Sequence, residues 1–159
     1  MTLVLTPYVT SKGNEFVRQH TIQQLQETKG CFGCDLSRVN LSGANLERVD
    51  LRSINLQGAN LKNANLRGAN LEWADLHNAN LEGADLSGAN LRETSLVDAN
   101  LQGANLEASK LETADLRNAN LRGANLVKAL TPDDIQASNS VTLCQTRLPN
   151  DVISSRDCQ

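Results

Sequence analysis

The sequence predicts an all-β solenoid, because three regularities run through its middle and a coiled chain accommodates all of them. Leucine stands at every fifth position from Leu36 to Leu126, nineteen times without a break. A small residue, usually Ala, lies two positions before nearly every leucine, and Asn or Asp lies one position before it except at Ser95 and Lys110. A five-residue period matches neither a helix nor a simple strand. The chain must therefore turn within each repeat and wind into stacked coils.

Each repeat divides into a short strand and a corner. In Ala59-Asn60-Leu61 the Ala and Leu side chains point into the coil and the Asn side chain points out, and Lys62-Asn63 form the corner. The second corner residue is often one that tolerates positive φ, as a type II turn requires. It is Gly at 43, 58, 68, 83, 88, 103 and 123, and Asn or Asp at 63, 78, 98 and 118.

The charges at the first corner position indicate how many repeats make one coil. With four repeats per coil, residues twenty apart stack about 4.8 Å from each other and give five opposite-charge neighbours. With three repeats per coil, four favourable pairs remain, but Arg52 stacks on Arg67. A square coil is therefore favoured over a triangular one. Its charge columns are Arg52-Glu72-Arg92-Glu112, Glu47-Arg67 and Lys62-Glu82.

One edge of a square rod differs from the others. Its second corner residues contain no Gly, Asn or Asp, so we expect a different turn type there, without positive φ. This column is Ser53, Trp73, Glu93 and Thr113.

An open solenoid needs caps at both ends. Residues 1–13 have no period and are interpreted as a flexible arm, and 14–30 as a helical N-terminal cap that Asn14 begins and Gly30 ends. The helix places Phe16, His20, Ile22 and Leu25 partly on one face. Residues 131–159 are predicted to form a short helix to about Ser138, begun by Thr131 and Pro132, and then an irregular tail. Because both ends are capped, we expect a monomer.

The five-residue block resembles the pentapeptide-repeat family, as in Ala84-Asp85-Leu86-Ser87-Gly88. The resemblance covers residues 31–130. It implies a right-handed β-helix of quadrilateral cross-section with four repeats per coil, which gives nearly five coils for nineteen repeats.

The four cysteines form two pairs in sequence. The segment around Cys144 and Cys158 resembles the C-terminal tail of exported cyanobacterial and chloroplast-lumen members of this family, which implies a disulfide. Such a bridge stabilises the fold by about 3 kcal/mol in the chain-entropy model. Cys31 and Cys34 lie in a Cys-x-x-Cys-Asp-Leu segment that also resembles the family. Three interpretations stay open for them: buried thiols at the top of the core, a local disulfide, or a redox or zinc site.

Composition excludes several function classes. The formal net charge is −3, with basic and acidic residues nearly balanced along the repeats, so no nucleic-acid-binding surface is indicated. No run approaches the roughly 20 apolar residues of a membrane span. No signal peptide is recognised, and this absence is ambiguous, because a mature or a recombinant chain would have lost it.

No catalytic, cofactor-binding or metal-binding set is found in the sequence. The two histidines, His20 and His77, belong to no recognisable motif, and a core of Leu and Ala leaves no room for a pocket. The Asp and Asn residues before the leucines are interpreted as structural ladders rather than as ligands for calcium or carbohydrate. We therefore expect a protein that is not an enzyme.

Trp73 is the residue least typical of the repeat. An outward indole in a chain with 3% aromatic residues is interpreted either as surface packing or as an anchor for a protein partner. Arg52, Glu72, Arg92 and Glu93 are expected to form a charged rim around it.

Three functional hypotheses follow. The first is a structural or protein-interaction rod of an oxidising compartment, the periplasm or the thylakoid lumen, with the cytoplasm as the alternative location. The second is a DNA-mimicking inhibitor of gyrase, similar to quinolone-resistance members of the family. The third is a redox protein or enzyme that uses Cys31 and Cys34.

Overall fold

The structure is a computed structural model that describes residues 14–132, 135 and 140–158, with side chains from His20 onward. Within this part of the chain there is one α-helix, α1 (Asn14–Thr28). The β-structure of the same residues consists of single-residue bridges at five-residue intervals rather than of extended strands. Only three residues separate successive corners, so each side of a coil has room for one bridge.

The bridges set the shape of the coil. From Gly30↔Asp50 to Lys110↔Leu130, residues at intervals of five each pair in parallel with the residue twenty positions later. Twenty residues are four repeats, so the square coil is confirmed and the triangular alternative is wrong. The right-handed sense of winding stays a prediction from the family resemblance.

A regular repeat satisfies every backbone N–H it carries, as a solenoid with a dry interior requires. In residues 56–60, the first and third N–H groups donate to the next coil, the fifth donates to the previous coil, and the fourth closes the turn. The second N–H donates to the side-chain Oδ1 of Asn55 at 3.0 Å. This last bond explains why Asn or Asp precedes the leucine: Gly or Ala in that place would leave one donor per repeat without its partner.

The amide side chains also link the coils to one another. Asn60 donates through Nδ2 to Asn40 Oδ1 at 3.3 Å, and Asn65 donates to Asn45 in the same way at 3.0 Å. Similar bonds continue down the rod, for example from Asn120 to Asn100 at 3.2 Å. The interpretation of these residues as structural ladders is therefore confirmed.

The core is a stack of leucines separated by small residues. Repeat leucines such as Leu66 and Leu86 are 0% exposed, and the alanines between them are nearly as buried. Where Thr94 and Ser109 replace Ala, their hydroxyls donate to the backbone oxygens of Leu71 and Leu106, both at 2.8 Å. Buried hydroxyls of this kind are tolerated only because they find acceptors.

Helix α1 packs against the first coil. Its Ile22 and Leu25 belong to the same buried cluster as the repeat leucines, whereas His20 is exposed. Gln26 donates through Nε2 to the backbone oxygen of Asn45 at 2.8 Å, an oxygen at the top of the first coil. The side chain of Phe16 lies outside the described side chains.

The left-handed residue that ends α1 is Lys29, with φ 54°, and not Gly30 as expected. Gly30 is needed for a different reason. A Cβ at this position would lie 2.4 Å from the backbone oxygen of Asp50, because the chain approaches the second coil closely here. The N–H of Cys31 donates to the same Asp50 oxygen at 2.9 Å.

The last coil is completed by the C-terminal tail. Asn120 pairs with Thr142 and Asn125 with Arg147, two residues beyond the regular spacing of twenty. An antiparallel bridge between Arg147 and Ile153 then turns the chain back. The helix predicted up to Ser138 lies almost wholly outside the described residues; Ile135, which is described, is buried at 3% exposure.

Candidate protein-binding edge

The twenty-residue register brings the predicted partner-contact residues onto one edge of the rod. We define this Trp73 edge as the corner residues that link the side of Asp50 to the side of Asn55 in successive coils. The bridges Asp50↔Asn70 and Asn55↔Asp75 flank it and fix its alignment. Its members are Phe32-Gly33, Arg52-Ser53, Glu72-Trp73, Arg92-Glu93 and Glu112-Thr113.

The backbone of this edge is not the one we expected. Ser53, Trp73 and Glu93 have φ of 55°, 61° and 54°, so the prediction of corners without positive φ is wrong for all three. The turn is imposed by the neighbouring coils: the N–H of Trp73 donates to Arg92 O at 3.1 Å, as at the other corners. Left-handed backbone costs a non-glycine residue about 1–2 kcal/mol.

Thr113 is the exception among the second corner residues between Gly33 and Lys128, since its φ is not positive. A β-branched side chain tolerates the left-handed region poorly. Its hydroxyl instead accepts the N–H of Glu93 at 3.0 Å. The last corner of the Trp73 edge therefore closes with a side-chain acceptor.

Two aromatic side chains project from the edge. Trp73 is 55% exposed and Phe32, two coils away, is 68% exposed. The guanidinium carbon of Arg52 lies 5.7 Å from the centre of the Phe32 ring, a cation–π contact worth about 0.5–1 kcal/mol at an exposed site. Trp73 thus remains available to a partner, while Phe32 is held from one side.

Arg52 is the residue that organises the upper part of the edge. Its Nε and Nη2 donate to the Asp50 carboxylate at 2.8 and 2.7 Å, a two-pronged pair. The hydrogen bonds from Arg52 lower the pKa of the Asp50 carboxyl, and the same bonds raise the pKa of Arg52. The pair fixes the guanidinium beside Phe32, so the ring and the charge form one unit.

Two of the five predicted opposite-charge neighbours form ion pairs between coils. Lys62 and Glu82 are 3.0 Å apart, and Arg92 and Glu112 are also 3.0 Å apart.

The other three, Arg52–Glu72, Glu72–Arg92 and Glu47–Arg67, lie one coil apart as predicted but form no ion pair within 4.0 Å. The negative charge of Glu72 nevertheless helps to raise the pKa of Arg52. Arg52 binds Asp50 and Arg67 lies 3.5 Å from Asp85. For Arg52, a carboxylate two residues away on the same coil is nearer than one on the next coil. Glu72 makes no ion pair within 4.0 Å to any residue that the structure describes.

The charged rim around Trp73 is therefore only partly neutralised inside the protein. Glu72 and Glu93 both lie without a paired cation in the described structure, whereas Arg52 and Arg92 are each paired. Sequence reasoning named these four residues but missed Phe32 and Asp50. Counting twenty residues back from Arg52 finds Phe32, so the signal was present in the sequence.

The Cys31–Cys34 pair frames the first corner of the edge. Of the three interpretations, the structure has the local disulfide, with the Cα atoms 5.6 Å apart. The expectation of buried thiols is wrong, because both cysteines are only half-buried where the chain turns out of α1 into the first coil. Cys144 and Cys158 are joined as well, with Cα atoms 4.8 Å apart.

The described residues contain no group of three His, Cys, Asp or Glu residues that could hold a metal ion. No helix among them is long and apolar enough to cross a membrane. Two shallow depressions lie at the ends of the rod, beside Lys29 and beside Ile135, and neither includes a residue of the Trp73 edge.

The Asp50–Arg52 pair predicts a pH dependence of stability. The pKa of Asp50 is depressed in the folded state, so its contribution is present above the unfolded value of about 3.9 and is lost as the pH falls through the folded value. Asp50→Asn keeps the acceptor for the Arg52 N–H. We expect it to lower the free energy of unfolding by about 0.2–1 kcal/mol at neutral pH and to flatten the loss below pH 4.

Urea unfolding between pH 2 and 7 measures this effect. Arg52→Gln removes the same pair and also the cation–π contact with Phe32, so it should cost at least as much, and the double variant should lose no more than Arg52→Gln alone. Additive losses, or an unchanged acid limb in Asp50→Asn, would contradict the pairing.

Comparison with known proteins agrees with the repeat. A family model described as pentapeptide repeats matches in eight copies, over residues 34–72, 54–92, 69–107 and 99–130. No curated protein matches.

Among solved structures, a pentapeptide repeat protein of the Arabidopsis thaliana thylakoid lumen is 36% identical, over 66% of this chain and 73% of that one, with a TM-score of 0.39. Rfr23 from the cyanobacterium Cyanothece 51142 is 34% identical over 82% and 90%, with a TM-score of 0.36. HetL from Nostoc sp. strain PCC 7120 is 30% identical over 79% and 64%, with a TM-score of 0.38. Because these TM-scores are low, the family assignment is based on the sequence match and not on the structural similarity. The chain belongs to the pentapeptide-repeat family.

Proposed function

We propose that the protein is a non-enzymatic interaction rod that docks a protein partner along its Trp73 edge. The observation that carries this proposal is a large, 55% exposed indole held on left-handed backbone. Gly, Asn or Asp occupies most other corners of this kind at lower cost. A tryptophan there exposes apolar surface to water and also strains the backbone, so stability alone does not favour it.

Position on the edge supports the same proposal. Phe32 and Trp73 are the two aromatic side chains among residues 20–158, and the register places both on one edge. Tryptophan anchors with a polar rim are typical of binding hot spots. The unpaired carboxylates of Glu72 and Glu93 beside Trp73 favour a partner that offers an apolar pocket for the indole, bordered by Lys or Arg.

The charge pattern speaks against the DNA-mimicking alternative. A mimic needs a continuous acidic surface, whereas Arg52 and Arg92 interrupt the acidic residues of this edge. Lys62 pairs with Glu82 on the opposite edge of the rod, so that edge is mixed as well. We therefore prefer a protein partner with mixed charges over a topoisomerase that binds DNA.

The two disulfides support an oxidising compartment, the periplasm or the thylakoid lumen. The similar thylakoid-lumen protein of Arabidopsis supports the same location. We further propose a monomer, because α1 covers one end of the core and the tail from Thr142 to Cys158 completes the other.

Trp73→Gly separates binding from stability. The substitution removes the indole and suits φ 61°, so the free energy of unfolding should stay the same or rise by roughly 1 kcal/mol. In cells of the source organism, tagged wild-type protein should crosslink to a partner that Trp73→Gly recovers about tenfold less. Quantitative mass spectrometry of the crosslinked proteins measures this loss.

Lys128→Gly is the matched control, since Lys128 is exposed and has φ 59° on a different edge. It should retain the partner. Equal recovery by both variants, or equal loss, would contradict a docking role for the Trp73 edge.

The compartment is tested by mapping the thiols of protein isolated from its native source, alkylated at lysis without reductant. We expect no alkylated cysteine, and peptides that link Cys31 to Cys34 and Cys144 to Cys158. Four alkylated cysteines would place the protein in the cytoplasm and overturn the proposed location.

A further inference from the structure

The Cys31–Cys34 disulfide closes a loop that holds only Phe32 and Gly33. These two residues are the first corner of the Trp73 edge. The corner is tied to the second coil by the N–H of Gly33, which donates to Arg52 O at 3.1 Å, and by the Arg52 guanidinium above the Phe32 ring. The disulfide therefore constrains the one aromatic side chain that accompanies Trp73.

The surroundings of this disulfide are open to a reactant. Both cysteines are half-buried and lie next to the exposed Phe32. Space around Gly33 is also free, since a Cβ built there meets no atom within 4 Å. A thiol can therefore approach the pair across this corner without displacing the core.

The second disulfide is held in place by its surroundings rather than shielded from solvent. Cys144 is 2% exposed and Cys158 is exposed, and the chain between them is braced by several contacts. The Asp157 carboxylate accepts the N–H of Leu143 at 3.1 Å, and Arg156 donates to the backbone oxygen of Val141. These contacts keep Cys158 beside Cys144, which favours re-formation of the bond whenever it opens.

The position of Cys31–Cys34 suits a disulfide that another protein reduces rather than a catalytic thiol pair. Reactive Cys-x-x-Cys pairs sit at a helix N-terminus, whose positive end stabilises a thiolate. Here α1 ends at Thr28, so the nearby helix end is the negative one. The pair lacks this helical support for a nucleophile.

We propose that Cys31–Cys34 is a redox modification site whose reactant is a protein dithiol, and that its reduction releases the Phe32 corner from Arg52. A thiolate of the dithiol attacks one sulfur, forming a mixed disulfide and expelling the other cysteine as a thiolate, which takes up a proton. The second thiol of the reductant then displaces the remaining cysteine. Two electrons and two protons pass to the pair, and the dithiol becomes a disulfide.

The consequence for partner docking rests on the proposed function. With the ring open, Phe32 and Gly33 regain backbone freedom and the aromatic pair on the Trp73 edge is reduced to Trp73. Reduction is thus expected to weaken docking.

The test treats the folded, oxidised protein with graded dithiothreitol, followed by acid quench, alkylation and peptide mass spectrometry. Cys31 and Cys34 should become alkylated at a dithiothreitol concentration about tenfold below that needed for Cys144 and Cys158. Amide exchange of Gly33, followed by NMR in the same samples, should become about tenfold faster. Opening of both disulfides at one concentration, or an unchanged Gly33 exchange rate after reduction, would overturn the proposal.

Cys31→Ser/Cys34→Ser serves as the permanently open control. Its Gly33 amide should exchange quickly with or without dithiothreitol, while the Cys144–Cys158 bridge stays intact. The wild-type titration decides the matter if this variant does not fold. These readouts need no partner, so failure of the Trp73→Gly experiment would remove the docking proposal while leaving the redox site to be judged independently.

Discussion

Everything in this rod depends on the pairing of each coil with the coil twenty residues later. In a regular repeat such as residues 56–60, the pairing uses three of the five N–H groups, the turn uses a fourth, and an Asn or Asp side chain accepts the fifth. Because no backbone donor of the repeat is spare, the chain has little freedom to change its path. The coil also has a fixed width, which leaves room inside for leucine and a small residue.

A rigid path of this kind separates structure from function along the sequence. Inward and bridging positions are occupied by Leu, Ala, Asn and Asp almost throughout, and a change there disturbs several hydrogen bonds at once. The corner side chains are not needed for this core or for these bridges, so their residue types can vary and can contact a partner. The register then lines up corners that are far apart in sequence, and Phe32, Arg52 and Trp73 become neighbours on one edge.

The sequence predicted the coil well, since the leucine period, the Asx position and the charge columns all report the same stacking. Prediction from the sequence failed where a contact with another residue overrode what the residue's own type favours. Trp73 was expected to avoid positive φ, but its turn is held by pairing with Arg92 of the next coil. Arg52 is stacked against Glu72 as the charge column predicts, yet it forms its ion pair with Asp50 on its own coil. The disulfide-closed loop that contains Phe32 and Gly33 could not be inferred, because the sequence does not show whether Cys31 and Cys34 are oxidised.

A cysteine crosslink tests the register most directly. Lys62 and Glu82 are 3.0 Å apart at their charged ends, whereas His77 lies on the neighbouring edge. In protein with both native disulfides intact, Lys62→Cys/Glu82→Cys should oxidise readily to an intramolecular disulfide, and Lys62→Cys/His77→Cys should not. Crosslinking of the pair fifteen residues apart, with the pair twenty apart left as free thiols, would contradict the four-repeat coil and with it the edge that the proposed docking site requires.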